Sequence, residues 1–274
     1  MSRIDPATHM GAVHLTVADL ERSLAYYRTA IGLEVLGESA GEARLGTAST
    51  ELLHLTESPG ASPADGHTGL FHFALLLPER TELARWLTHA AQAGVQLTGA
   101  SDHFVSEALY LRDPDHHGIE IYWDRPRELW EGQVARMGSW PLDLDDIVAT
   151  LEGHDEATFD SLPDGTTMGH VHLRVADVEE TIAFYRDVLG FDLMAQLGPQ
   201  AAFLSAGGYH HHLGGNTWES RGAGPAPSGS ATLQQFTIVI PDESERAAVA
   251  ERLGGGERFR DPSDNAFVLA AQPL

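Results

Sequence analysis

Apolar and polar positions along this chain change period in a recurring order. MGAVHLTVAD (residues 10–19) is a strand-like apolar run, and LERSLAYYRTAIG then places Leu20, Leu24, Tyr27 and Ile31 on one face at helical spacing. Asp19 stands before the helix as an N-cap and Gly32 after it as a stop. The short segments LEVLGES, EARLGTA and ELLHLTE follow, bounded by small and polar residues, and read as strands. The order returns at residues 70–123, where apolar LFHFALLLP leads into amphipathic ERTELARWLTHAAQAGV and then into strand-like segments ending in GIEIYW. Strand, helix, strands is predicted twice within the first 125 residues.

The second half repeats the first. MGHVHLRVADVEETIAFYRDVLGF (residues 168–191) matches residues 10–33 without a gap at an offset of 158, which sets His14 opposite His172. Carried onward, the offset sets His54 opposite His212. A match this long at one spacing predicts duplicated architecture. QQFTIVIP (residues 234–241) resembles FHFALLLP (71–78), and RDPSDNAFVLA (260–270) resembles RDPDHHGIEIY (112–122). Four modules result, at 10–58, 69–125, 168–218 and 230–274, the last short and without distinct middle strands. Taken in chain order they suggest a first domain over 1–125, a linker over 126–167 with a short helix in DLDDIVATL, and a second domain over 168–274.

Two residues sit oddly in these patterns. His72 interrupts LFHFALLLP, and Glu120 lies inside the apolar run IEIYW, where a carboxylate is costly unless paired. Alternation puts His72 on a face with Leu70, Ala74 and Leu76, and Glu120 on a face with Gly118 and Tyr122. If both are inner faces of one curved sheet they converge, and a histidine with a glutamate makes two thirds of a facial metal site. The fourth module has Gln235 and Val268 at these places, so the scaffold does not need either side chain to fold. Module three is rich in histidine, with His170, His172 and the run His210, His211, His212; alternation would set His210 and His212 on one side of a strand. His116 and His117, in a DPDHHG turn, are expected to be exposed.

Composition narrows the function. The chain has 274 residues and 17 Lys and Arg against 40 Asp and Glu, a net charge of −23, which disfavours nucleic acid and anionic membrane surfaces. The absence of cysteine excludes thiolate nucleophiles, iron–sulfur clusters and cysteine zinc sites, leaving His, carboxylate and carbonyl to hold any metal. No signal-peptide core or membrane-length apolar run is seen, so a cytoplasmic protein is expected, its oligomeric state open to a homo-oligomer.

The phrases HVHLRVADVEETIAFYRDVLGF, GASDHFVSEALYLRDPDHHGIEIYWDRP and GGYHHHLGGNTW resemble the vicinal oxygen chelate superfamily, which includes glyoxalases and extradiol dioxygenases, and within it the CatE-like catechol 2,3-dioxygenase branch. The resemblance covers nearly the whole chain. It implies an α+β fold of four βαβββ modules paired into two cupped sheets. It implies Fe(II), or alternatively Mn(II), held by two histidines and a glutamate. His72 and Glu120 match two of those places; His172 is favoured for the third, with His14 as the alternative if tandem modules pair. Tyr110 and His103 match positions that orient substrate, and His212 or His210 the acid–base histidine. The implied reaction inserts O2 into a catechol-type aromatic diol to give a ring-opened semialdehyde. A glyoxalase-like lyase or isomerase, or a metal-free small-molecule binder, is the alternative; the lack of a second carboxylate near His54 or His212 speaks against glyoxalase chemistry.

Overall fold

The computed structural model describes residues 3–153 and 158–272. Module one runs β1 (His9–Val17), α1 (Leu20–Tyr26), β2 (Glu34–Ser39), β3 (Glu42–Gly46) and β4 (Glu51–Glu57), and the two-residue β5 (Ser62–Pro63) follows. Module two is β6 (Gly69–Leu76), α2 (Arg80–Ala93), β7 (Leu97–Asp102), β8 (Ser106–Arg112) and β9 (Gly118–Asp124). The connection carries α3 (Leu144–Ala149). Module three is β10 (Thr167–Arg174), α4 (Val178–Ala183), β11 (Asp192–Leu197), β12 (Ala201–Ser205) and β13 (Leu213–Asn216). After the short β14 (Ser230–Ala231), module four holds β15 (Leu233–Val239), α5 (Glu243–Arg252), β16 (Arg258–Arg260) and β17 (Ala266–Ala270). Among the described residues it has one strand fewer than the others.

Local chemistry sets the helix ends. The Asp19 carboxylate accepts from the Arg22 amide, and Asp177 does the same for Glu180. Both helices widen into a π-helical turn and stop at a left-handed glycine, Gly32 (φ 90°) and Gly190 (φ 95°). Tyr27, Ile31, Tyr185 and Leu189 from these turns are buried in the core.

The strands form two cupped sheets in an α+β fold. A seven-stranded sheet has the order β16-β17-β15-β1-β4-β3-β2, and an eight-stranded sheet the order β11-β12-β13-β10-β6-β9-β8-β7. Module one therefore pairs with module four, and module two with module three. The division into halves at 126–167 does not follow the sheets, each of which draws on both halves. Sheet pairing is a long-range choice, made by which apolar edges meet, and strand periodicity carries no record of it.

The two sheets share one register. Val13 lies opposite Phe236 and His14 opposite Gln235; in the other sheet Val171 lies opposite Phe73 and His172 opposite His72. Phe236 pairs with Phe267 where Phe73 pairs with Ile119. Tandem neighbours meet elsewhere. The Tyr27 hydroxyl of module one donates to Asp113 in the module-two turn, and Tyr185 of module three donates to Asp261 in module four. Each of these aspartates also accepts backbone amides, from Asp115 and His117 and from Ser263 and Asn265. His117 is consequently buried in its turn, its Nε2 donating to the Thr16 carbonyl, while His116 stays exposed. Among the described residues no helix is long and apolar enough to cross a membrane.

Candidate metal centre

Four adjacent strands of the eight-stranded sheet build the site. His170 on β10 lies opposite Ala74 on β6, Ala74 opposite Glu120 on β9, and Glu120 opposite Tyr110 on β8. Strands about 4.8 Å apart leave His170 and Glu120 two spacings from one another. The alanine between them is small enough for both side chains to lean over it. His72, two residues before Ala74 on the same face, closes a triangle with them.

The triangle is tight. Glu120 Oε2 lies 3.0 Å from His72 Nε2 and 3.1 Å from His170 Nε2, and the two nitrogens are 3.3 Å apart. Metal bonds of about 2.1 Å at right angles separate neighbouring donors by about 3 Å, so three such atoms match one face of an octahedron. Two imidazole nitrogens at this distance have room for one proton between them at most. All three side chains are buried. Burial alone would raise the Glu120 carboxyl, but the facing His170 and His72 outweigh it and hold it well below the usual carboxylate range. Burial lowers the His170 imidazole despite Glu120. A buried carboxylate facing two imidazole nitrogens is an arrangement that a divalent cation satisfies. Among the described residues this is the one set of metal-type donors that meets.

The third corner is thus His170 and not His172. His172 points into the same cavity one step along β10, its ring centroid 4.9 Å from that of His72, with Nε2 lacking a hydrogen-bond partner. His14 is not in this sheet. It belongs to the seven-stranded sheet, bonded to the Thr56 hydroxyl and stacked on His54 with centroids 3.9 Å apart. Comparison of the repeats could have singled out His170, because Ala12 stands at its place in module one whereas His14 and His172 are common to both copies.

The triangle opens onto a cavity of about 350 Å³. Phe71, Phe203, Trp218 and Met137 supply apolar wall, and among the described residues Glu120 is the one carboxylate that lines it. His103 and Tyr110 face each other there, with His103 Nε2 2.6 Å from the Tyr110 hydroxyl. His103 Nδ1 lies 2.5 Å from the Gly138 carbonyl, which only accepts, so Nδ1 carries the proton and Nε2 accepts from Tyr110. Burial and the Glu120 charge push the Tyr110 phenol well up, so it remains a donor. The linker returns here: residues 137–139 cover the cavity, tied down by paired hydroxyls of Ser101 and Ser139 and by pairing of Trp140 with Asp102.

The three consecutive histidines are not on a strand. They lie in the connection from β12 to β13, longer than the corresponding turn of module one. The added residues shift the repeat by two, so that Gly214 and not His212 occupies the place of His54, each beside its strand partner His172 or His14. Alternation fails accordingly. His212 turns away from the cavity to Ser205 Oγ and the Ala206 amide, and His210 Nε2 reaches Asp124 at 2.8 Å. His211 is the member that lines the cavity, its ring centroid 4.1 Å from that of His170.

The chain is similar to known proteins over most of its length. The family model for the glyoxalase/bleomycin resistance protein/dioxygenase superfamily matches residues 7–121 and 167–254. A catechol-2,3-dioxygenase of Bacillus subtilis (strain 168) is 43% identical, over 97% of this chain and 95% of its own length. A biphenyl-2,3-diol 1,2-dioxygenase of Pseudomonas sp. (strain KKS102) is 26% identical, over 74% of this chain and 66% of its own. The crystal structure of glyoxalase I from Zea mays has the same fold, with a TM-score of 0.56 at 20% identity, covering 96% of this chain and 92% of that one. The chain belongs to the glyoxalase/bleomycin resistance protein/dioxygenase superfamily.

Proposed function

We propose that this chain is an extradiol dioxygenase that opens a catechol-type ring with O2, using Fe(II), or Mn(II) in its place, held by His72, His170 and Glu120. The observation that carries the reading is the buried triangle of two imidazoles and one carboxylate opening onto a partly apolar cavity. The 43% identical catechol-2,3-dioxygenase supports the same class. Glu120 is the one described carboxylate lining the cavity, an arrangement unlike the paired carboxylates expected of a glyoxalase-type isomerase.

A divalent iron in this place supplies the Lewis acidity that favours an ionised diol and the one-electron chemistry that O2 requires. The chain's own residues do the rest. Phe71, Phe203 and Trp218 hold the ring and keep water from it. His211, kept neutral by burial and by the neighbouring His170 and His210, takes the hydroxyl proton of the diol. The one proton of the Tyr110 hydroxyl, held by His103 Nε2 in the free site, turns to the oxygen on which negative charge grows once substrate is bound, while His103 keeps the phenol in place.

The test is anaerobic loading with Fe(II), metal analysis, and oxygen uptake over a panel of catechols and hydroquinones. Uptake coupled to a ring-opened semialdehyde is expected. Iron-loaded protein that consumes no O2 with any of them would refute the assignment.

A further inference from the structure

A line of buried hydrogen bonds behind the cavity ends at His211 and reaches no proposed metal ligand. β9 presents Glu120, Tyr122 and Asp124 on one face. Glu120 belongs to the triangle; the other two hold the connection between β12 and β13. The Tyr209 hydroxyl donates to Asp124 Oδ2 at 2.7 Å, so the Tyr122 hydroxyl, 2.9 Å from it, donates to Tyr209. Asp124 Oδ1 lies 2.8 Å from His210 Nε2, and His210 Nδ1 lies 2.8 Å from His211 Nδ1. The His211 Nε2 atom makes no hydrogen bond among the described residues, and its ring lines the cavity.

The proton positions along this line follow from the acceptors. A carboxylate oxygen facing an imidazole nitrogen accepts, so His210 Nε2 carries a proton. With Nε2 holding the one proton of the His210 ring, Nδ1 is bare and can only accept. His211 must therefore donate from Nδ1, and the lone pair of its Nε2 is left facing the cavity. We infer that Asp124, acting through His210, is a positioning residue that fixes His211 in the tautomer able to take a proton from the substrate. The inference rests on the function proposed above, with His211 as proton acceptor. It explains why three histidines stand in a row: one lines the cavity, one relays the carboxylate to it, and the third fastens the connection to Ser205. Tyr209 and Tyr122 stabilise the far end by holding Asp124 in place.

The inference is testable without turnover. In the full chain, loaded with Zn(II) as a diamagnetic probe and carrying 15N-labelled histidine, two-bond proton–nitrogen correlations report the tautomer, with His211 assigned by its loss in His211→Gln. Wild type is expected to show His211 protonated at Nδ1 and bare at Nε2. Asp124→Asn offers His210 an amide donor and should invert both rings, leaving His211 protonated at Nε2; Asp124→Glu should restore the wild-type pattern. Tyr209→Phe, which retains the carboxylate, should keep the tautomer and serves as the folded control. In the iron-loaded enzyme Asp124→Asn should lower kcat by about 10²-fold or more, with metal content and KM unchanged. A wild-type His211 protonated at Nε2, or an Asp124→Asn protein with the wild-type tautomer and kcat, would overturn the inference while ring cleavage by the wild type stood. The expected tautomers in a protein that consumes no O2 would instead overturn the proposed function.

Discussion

The chain contains its own control, because the seven-stranded and eight-stranded sheets are built on the same register and, among the described residues, only the latter converges three metal-type donors on one point. Where the eight-stranded sheet has His170, His72, Ala74 and Glu120, the seven-stranded sheet has Ala12, Gln235, Thr237 and Val268. The backbone pairing tolerates both sets. A curved sheet with alternating faces thus provides a place for three convergent donors without demanding them, and the site is a decision made at four positions. The difference spreads one strand further. Beside His172 stands Gly214, which leaves the ring room; beside His14 stands His54, which stacks on it. The longer connection that supplies His210 and His211 also belongs to the eight-stranded sheet alone.

The sharpest way to break this comparison is to remove one histidine from each sheet. His170→Ala should lose divalent metal by more than the roughly 10–100-fold that an outer-shell contact costs, together with all ring cleavage. His14→Ala should keep both, as measured by iron per chain after anaerobic loading and by oxygen uptake. The reverse pattern would place the site in the wrong sheet.

Acid should act through both sheets but unequally. Burial, with His210, His9 and His170, pushes the His212 imidazole from 6.5 down to about 3, and burial with His54 and Arg258 pushes His14 to about 4. The unfolded chain therefore binds protons first, and stability is fully present above about 6.5 and lost as pH falls toward the folded values. The sealed His212 contributes on the order of a few kcal/mol to that loss, and the more open His14 less because water screens it. Urea midpoints followed from neutral to acid pH should flatten more in His212→Gln than in His14→Gln.

Smaller substitutions exchange the two floors. Ala74→Thr puts the residue of the seven-stranded sheet between His170 and Glu120; it should cost about 1–3 kcal/mol through overpacking and weaken metal binding, read by unfolding and by iron titration. Gly214→Ala should have the smallest effect, about 1 kcal/mol. An added Cβ would stand 2.7 Å from His172 Nδ1 and turn that ring without touching the triangle, so iron content should not change.

Much of this was legible from residues alone. Helix ends, strand runs and the duplicated frame follow from local periodicity and caps, and Glu120 stood out because a carboxylate in an apolar run needs a reason. Matching the copies points to the histidine they share, His14 and His172, whereas the triangle is made where they differ, at His170 against Ala12. The ungapped match of the repeats predicts a strand at His210, His211 and His212, because it hides the lengthened turn that shifts the register by two.

The sequence by itself determined the modules, the donors available and the absence of any thiol alternative. Only the tertiary structure decided that module two meets module three, that His170 leans over Ala74 to Glu120, and that His211 is the imidazole left facing the cavity. The physical reason is range. Periodicity and capping act within a few residues, whereas a site of converging side chains depends on which distant strands become neighbours and in what register.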